Sequence, residues 1–335
     1  MAIEIVTELP INKWRVYVEN HPHGGIFHTP EMFELFQCID NHIPTLWAAV
    51  TDNTVQALML PVEITLKNIL RPFTTRAVVY SSALYDDSPM GHESLSILLD
   101  TYNKKVHPNI IFTEFRNQID MSLVQPILEQ HGFLYEHHLN FLIDINRPLT
   151  EIMQDIGKRT RKQIRSGLSK KLVTLEQAST VEQVQECYSL IKRSYTSAQV
   201  HLAEFSFFKN IFDHFYPKGL AMFWLARFEG VCVASSIELP YKDVLYGWYS
   251  GVDRDYSKYY PGELLMWHVL EWGAENGYKV YDFGGAGKPD EEYGVRKFKA
   301  KFGGKMVDYG RNASIHRPMT LQVSKLGYEL YRRLL

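Results

Sequence analysis

The sequence predicts an α/β protein with mixed sheets, organised as two domains. Three observations predict it. At 335 residues the chain is too long for one ordinary core and suits two domains of roughly 150 residues each. Short β-branched and aromatic runs alternate with helix-period segments along its length. Asn146-Arg147-Pro148 breaks that alternation, which places a boundary between residues 148 and 149.

In the first domain, residues 1–148, PEMFELFQCI (30–39) reads as a helix capped by Thr29, with Pro30 in its first turn. TLWAAV (45–50) is a strand, Thr51-Asp52-Asn53 a turn, and 55–66 the returning strand. Strands at 77–81, 110–116 and 138–145 then alternate with helices at 94–106 and 121–131. In the second domain, residues 149–318, one very basic helix spans 150–171. A strand at 172–177 and helices at 180–197 and 204–215 follow. Residues 221–228, 231–240 and 244–252 form an antiparallel meander, turned at Glu229-Gly230 and Lys242-Asp243. A helix (262–276), a strand (279–283), a glycine-rich turn (284–287), a short helix (293–302) and a strand (305–309) complete it. The terminal helix, within 319–335, is expected to pack back on the first domain.

Composition narrows the function. Hydrophobic residues make up 45% and charged residues 22%, a globular balance. The net charge of −2 does not suit a general nucleic-acid binder. It conceals a split: residues 1–150 carry nine basic and seventeen acidic side chains, and residues 151–335 carry 27 and 21. Cys38, Cys187 and Cys232 lie far apart without metal or redox spacing. No signal peptide or membrane-spanning run is legible, so a soluble, cytoplasmic protein is expected. His21, His23, His28 and the pair His137-His138 have no Asp or Cys at a metal-ligand spacing. No metal site and no serine triad is read.

Three segments carry candidate chemistry. In 278–304, Gly284 and Gly285 follow a strand, where positive φ or close approach to a ligand needs glycine. The next helix presents Arg296 and Lys299 on one face and Lys297 and Lys301 on another. A tight turn and an ordinary amphipathic helix would read the same way. In 249–267, Tyr249, Tyr256, Tyr259 and Tyr260 crowd a strand-to-helix junction that opens on Pro261 and Glu263. In 158–171, Lys158, Arg159, Arg161, Lys162, Arg165, Lys170 and Lys171 share a helix. They form either a solvated charge run or a contact for phosphate or RNA backbone.

PGELLMWHVLEWGAENGYKVYDFGG (261–285), followed by RKFKAKFGGK (296–305), resembles the FemABX family of peptidyl and aminoacyl transferases. RTRKQIRSGLSKK (159–171), ALYDD (83–87) and IFHTPEMFELF (26–36) fit the same resemblance. It implies two tandem GNAT-like domains of the acyl-CoA N-acyltransferase type. It also implies transfer of an activated acyl group, typically from aminoacyl-tRNA, to an amine on a peptidoglycan or other cell-wall precursor. Such chemistry needs a neutral amine, a held acyl ester and a cation or amides for the oxyanion. By this resemblance Lys299 is the catalytic oxyanion stabiliser and Arg296 a substrate anchor. Gly284 and Gly285 approach the substrate, Tyr249, Asp253 and Tyr256 belong to the acceptor pocket, and Arg161 and Arg165 contact an anion. No tightly bound cofactor is expected; the co-substrate is an aminoacyl-tRNA or an acyl thioester.

The sequence departs from the family pattern in three places. No Lys or Arg occurs from Val16 to Leu66, and Glu34, Phe36 and Gln37 stand where members that bind UDP-linked muropeptide carry a basic residue. The loop Arg254–Tyr260 contains no glycine, whereas acetyl-CoA-dependent enzymes cradle pyrophosphate there with glycines. No segment between 150 and 220 sustains the heptads of a coiled-coil arm. Three functions therefore stand side by side: a FemABX-like N-acyltransferase, a coenzyme A- or acyl-carrier-dependent enzyme of the same fold, and a non-catalytic ligand-binding relative.

Overall fold

A computed structural model describes residues 2–66, 71–198, 200 and 202–333. The chain divides into two units, one formed by Met1–His138 with Asp308–Leu335 and the other by Leu139–Val307.

The first unit begins with β1 (Glu4–Val6), α1 (Ile11–Asn20) and α2 (Pro30–Gln37). Pro30 opens α2, and Thr29 caps it by accepting the Met32 N–H at 3.2 Å. Then come β2 (His42–Pro44), β3 (Trp47–Thr51), β4 (Thr54–Met59) and β5 (Pro61–Ile64). The β3–β4 hairpin turns on Asp52 and Asn53, both at positive φ (46° and 64°), as a two-residue turn between twisted strands requires. Next are α3 (Arg71–Thr74), β6 (Arg76–Val79), β7 (Leu84–Tyr85), α4 (Pro89–Lys105), β8 (Phe112–Arg116), α5 (Gln125–Gln130) and β9 (Leu134–Glu136). β6 and β8 pair in parallel, with α4 in the crossover between them. Leu95, Leu98, Leu99 and Tyr102 bury its inner face against the sheet.

The second unit begins with β10 (Leu139–Asp144), α6 (Leu149–Asp155), α7 (Lys158–Lys170), β11 (Thr174–Gln177), α8 (Val181–Ser197) and α9 (Phe205–Phe215). The meander is β12 (Met222–Phe228), β13 (Val231–Tyr241) and β14 (Val244–Val252). Then follow α10 (Pro261–Glu275), β15 (Val280–Gly285), α11 (Gly294–Lys299) and β16 (Lys305–Asp308). Its seven strands run β11-β12-β13-β14-β15-β10-β16. α10 lies over one face and buries Leu264, Met266, Trp267, Val269 and Leu270 there.

The chain then returns to the first unit with β17 (Arg311–Ile315) and α12 (Pro318–Arg333). This completes two sheets, β1-β3-β4-β7 and β2-β5-β6-β8-β17-β9.

Several expectations change. The boundary moves from 148/149 to 138/139, because β10 hydrogen-bonds between β15 and β16 and so belongs to the second sheet. The second unit ends at Val307 instead of 318, since β17 joins the first unit. The basic helix is two helices, α6 and α7, broken at Ile156-Gly157 where the backbone extends. The short helix expected at 293–302 is α11 plus one 3₁₀ turn. The helix α1 and the strands β1 and β17 have no counterpart in the sequence reading. The terminal helix runs from Pro318 through Arg333; its last two expected residues lie outside the described ones.

Candidate functional site

β14 and β15 pair in parallel over only three residues, Val244–Tyr246 against Val280–Asp282. Beyond that point β14 continues along β13 alone, with a bulge opposite Ile237 and Glu238, and β15 continues along β10. The two strands part beyond Tyr246 and Asp282. Gly247 stands at the fork. A Cβ there would lie 2.3 Å from the Tyr281 hydroxyl, so only glycine fits beside that phenol.

At the end of β14 the chain makes a 3₁₀ turn, Arg254–Tyr259, and enters α10. Asp253 caps the turn by accepting the Asp255 N–H at 3.1 Å. Tyr260 holds the helix entry at φ 59°, a left-handed conformation that is rare for a bulky residue. No side chain caps α10. Its first intrahelical bond is Leu264 N–H to Tyr260 O, 3.0 Å, so the amides of Gly262 and Glu263 have no intrahelical acceptor. Beside them opens a cleft of about 720 Å³, lined among others by Arg159, Arg254, Lys258, Gly262, Phe298 and Lys301. Glu263 is its acidic side chain and is held by Lys301 at 3.1 Å. Three further cations and two free amides facing one volume suit an anionic group.

Lys299 is buried, 8% exposed. Its ammonium donates to the carbonyls of Phe283 (2.5 Å), Gly284 (3.3 Å) and Gly285 (2.7 Å). All three N–H donors are thereby spent on the end of β15. In this geometry Lys299 is a clamp on the Gly284–Gly285 backbone. Burial lowers its pKa to about 8, against the pull of Asp282. Asp282, on the same strand, is buried and accepts the Gly284 N–H at 2.7 Å. Burial raises its pKa to about 6, although that bond and Lys299 oppose the shift. Gly284 sits at φ 66°, and a Cβ there would meet the Tyr246 hydroxyl at 2.9 Å.

The other expected site residues fall into separate places. Arg296 donates to the carbonyls of Ala286 (2.8 Å), Pro289 (3.1 Å) and Lys288; it organises the loop after β15 instead of presenting a free anchor. Arg161 is bound to Gln154 O at 2.5 Å. Neither it nor exposed Arg165 lines the cleft; α7 contributes Arg159, Thr160 and Gln163 to it, of which Arg159 is the cation. Tyr249 packs among aromatics, with Phe208 at 5.0 Å and Trp248 at 5.2 Å. Asp253 pairs with Arg193 at 3.4 Å. Tyr256 lies against Phe228 at 5.7 Å. Lys299, Gly284 and Gly285 are the expected residues that the fold does bring together.

Sequence reasoning missed Arg254, Lys258, Asp282 and Glu238. Glu238, on β13, is fully buried, and neither carboxyl oxygen closes a hydrogen bond. Burial raises its pKa to about 8, against the Ser236 and Tyr281 hydroxyls that face it. A single Glu in the apolar run VCVASSIELPY was the available signal. His28 and His21 are tied into the fold: His28 bridges the Gly25 N–H (3.1 Å) and Ser82 O (2.8 Å), and His21 reaches Tyr85 O (2.9 Å).

Residues 156–294 match the family model of the acetyltransferase (GNAT) domain. No curated protein matches the chain. FemX superposes with a TM-score of 0.75 at 15% identity, over 96% of this chain and 100% of its own. L-PGS from Bacillus licheniformis gives 0.57 at 14% identity, over 96% and 98%. A tandem GNAT protein from the clavulanic acid biosynthesis pathway gives 0.59 at 9%, over 94% and 99%. The likeness at these identities is one of fold: a tandem GNAT-like acyltransferase fold.

Proposed function

We propose that this tandem GNAT-like chain is an N-acyltransferase that moves an aminoacyl or acyl group from an anionic carrier to an amine of a cell-envelope precursor. The cleft at the start of α10 carries this reading. Arg159, Arg254 and Lys258 line it, and the uncapped helix entry turns two amides towards it. A carrier phosphate seated there would direct its acyl end along the fork between β14 and β15. The acceptor amine, once neutral, attacks the acyl carbon, and the carrier leaves with the proton the amine gives up. Lys299 takes a positioning part, holding the Gly284–Gly285 backbone beside the fork. The basic face of α7 favours a nucleic-acid carrier, an aminoacyl-tRNA.

A second reading keeps the fold and uses an acyl thioester of coenzyme A or a carrier protein. The uncapped amides at Gly262 and Glu263 favour it, because pyrophosphate suits a helix N-terminus. One experiment separates the two. The protein is incubated with bulk aminoacyl-tRNA or with acetyl-CoA, each with a lysine-containing muramyl peptide, and the peptide mass is read. Gain of an aminoacyl mass supports the first reading and gain of an acetyl mass the second. No gain with either donor overturns both.

A further inference from the structure

Charge in the first unit is divided between two regions. Residues 64–76 and 315–335 together carry seven basic side chains and one acidic one, Glu329. The rest of the unit carries six basic and seventeen acidic ones. The two basic segments meet in space. α12 packs on α3, and the Arg317 guanidinium donates to Pro72 O at 3.2 Å. The Thr65 and Thr75 hydroxyls share a hydrogen bond at 2.9 Å, which holds the chain after β5 beside α3. An acidic unit therefore has one basic side.

That side also exposes apolar groups. Thr320, Leu321 and Ser324 share the half-buried face of α12. Met319, Val323 and Leu326, spaced by four and three, share another face and are 81%, 54% and 61% exposed. Leu66, Phe73 on α3 and Ile315 before α12 are each close to half exposed. Single exposed apolar residues are ordinary, whereas three in register on one helix, with Phe73 on the helix it packs against, form a patch. Three occupants can be compared. A nucleic acid would use the charges and leave Met319, Val323 and Leu326 in water. A second copy of the chain would bring two basic sides together. A surface that is negative outside and apolar within satisfies both features.

We propose that α3 and α12 form a docking face for an anionic lipid bilayer. Phe73, Met319, Val323 and Leu326 enter the headgroup layer, and cations of both segments, Arg71 and Arg317 among them, lie beside lipid phosphates. Docking on this side leaves the acidic remainder of the unit in water, so the charge division also sets the orientation. The face does not depend on the acyl-transfer reading.

The test is flotation of the full chain with vesicles of phosphatidylcholine alone and of phosphatidylcholine mixed with phosphatidylglycerol. The chain is expected to float with the anionic vesicles only, and less so as salt is raised. Because the basic helix α7 also attracts anions, the deciding variant keeps every charge: Met319→Ser/Val323→Ser/Leu326→Ser should weaken partition about 10-fold or more. Arg71→Gln should weaken it about 5-fold at low salt. Phe73→Ser should weaken it about 3-fold, which keeps the test decisive should the triple variant fail to fold. Failure to float with anionic vesicles, or equal flotation with both kinds, overturns the face. So does unchanged partition of the triple variant or, if that variant does not fold, of Phe73→Ser. A dimer in sedimentation equilibrium that the three serines dissociate would give the face to a second copy, and overturns the proposal as well.

Discussion

The ammonium of Lys299 lies 2.5 Å from the carbonyl oxygen of Phe283, inside the protein and at the end of β15. That contact and its two companions fix the strand where it parts from β14. Replacing the ammonium by an apolar group leaves the carbonyl oxygens of buried Phe283 and Gly284 short of a donor. Lys299→Met should therefore lower stability by about 1–3 kcal/mol as well as reduce acyl transfer. Urea melts check the first effect. An unchanged midpoint would mean that Lys299 is not a clamp.

Glu238 gives a pH-dependent prediction. Its carboxyl binds a proton more tightly folded, at about 8, than in the ordinary range near 4.5. The native state therefore holds the extra proton between those values, and stability is lost as pH rises through them. Glu238→Gln cannot ionise. Its stability relative to wild type should grow with a slope of up to about 1.4 kcal/mol per pH unit between pH 4.5 and 8, and level off above. Melting curves of both proteins across that interval decide it; parallel curves would refute the buried acid.

Gly284 combines φ 66° with a phenol 2.9 Å from the place of a Cβ. Gly284→Ala must both strain the backbone and displace the Tyr246 ring. A loss of about 1–3 kcal/mol is expected. Gly230, at φ 81° with nothing within 4 Å of its Cβ position, is the control for backbone strain alone, and Gly230→Ala should cost less.

The cleft at α10 predicts a salt effect. Arg159→Gln/Arg254→Gln/Lys258→Gln should weaken donor binding at low salt by 10-fold or more and flatten its dependence on salt concentration. Filter binding of aminoacyl-tRNA over a salt series measures both quantities. A slope identical to wild type would place the donor elsewhere.

The meander and α10 were legible because each is local: β12–β14 alternate through two-residue turns, and α10 opens on Pro261. α1 was not legible, because of INKWRVYVEN only Trp14 and Val18 are buried, too few for a clear stripe. β17 was missed because its partners, β8 and β9, lie nearly 200 residues upstream. The glycines and Lys299 of the candidate site could be picked out from spacing and resemblance. What Lys299 touches could not, since three backbone carbonyls leave no mark on side-chain pattern. Asp282 and Glu238 looked like ordinary strand residues until burial set their protonation.

β17 sits between β8 and β9 in its sheet, although a whole second unit is threaded into the chain before it. During synthesis the first unit therefore cannot close when its own first 138 residues have emerged. The edges of β8 and β9 wait, unpaired, until residues 311–315 arrive. Open edges of this kind invite pairing with other chains. The inserted unit, contiguous from Leu139 to Val307, has no such delay. The order of assembly is thus written into the connectivity: the later-made unit finishes first, and the earlier-made one is sealed by a strand translated after the whole of that unit.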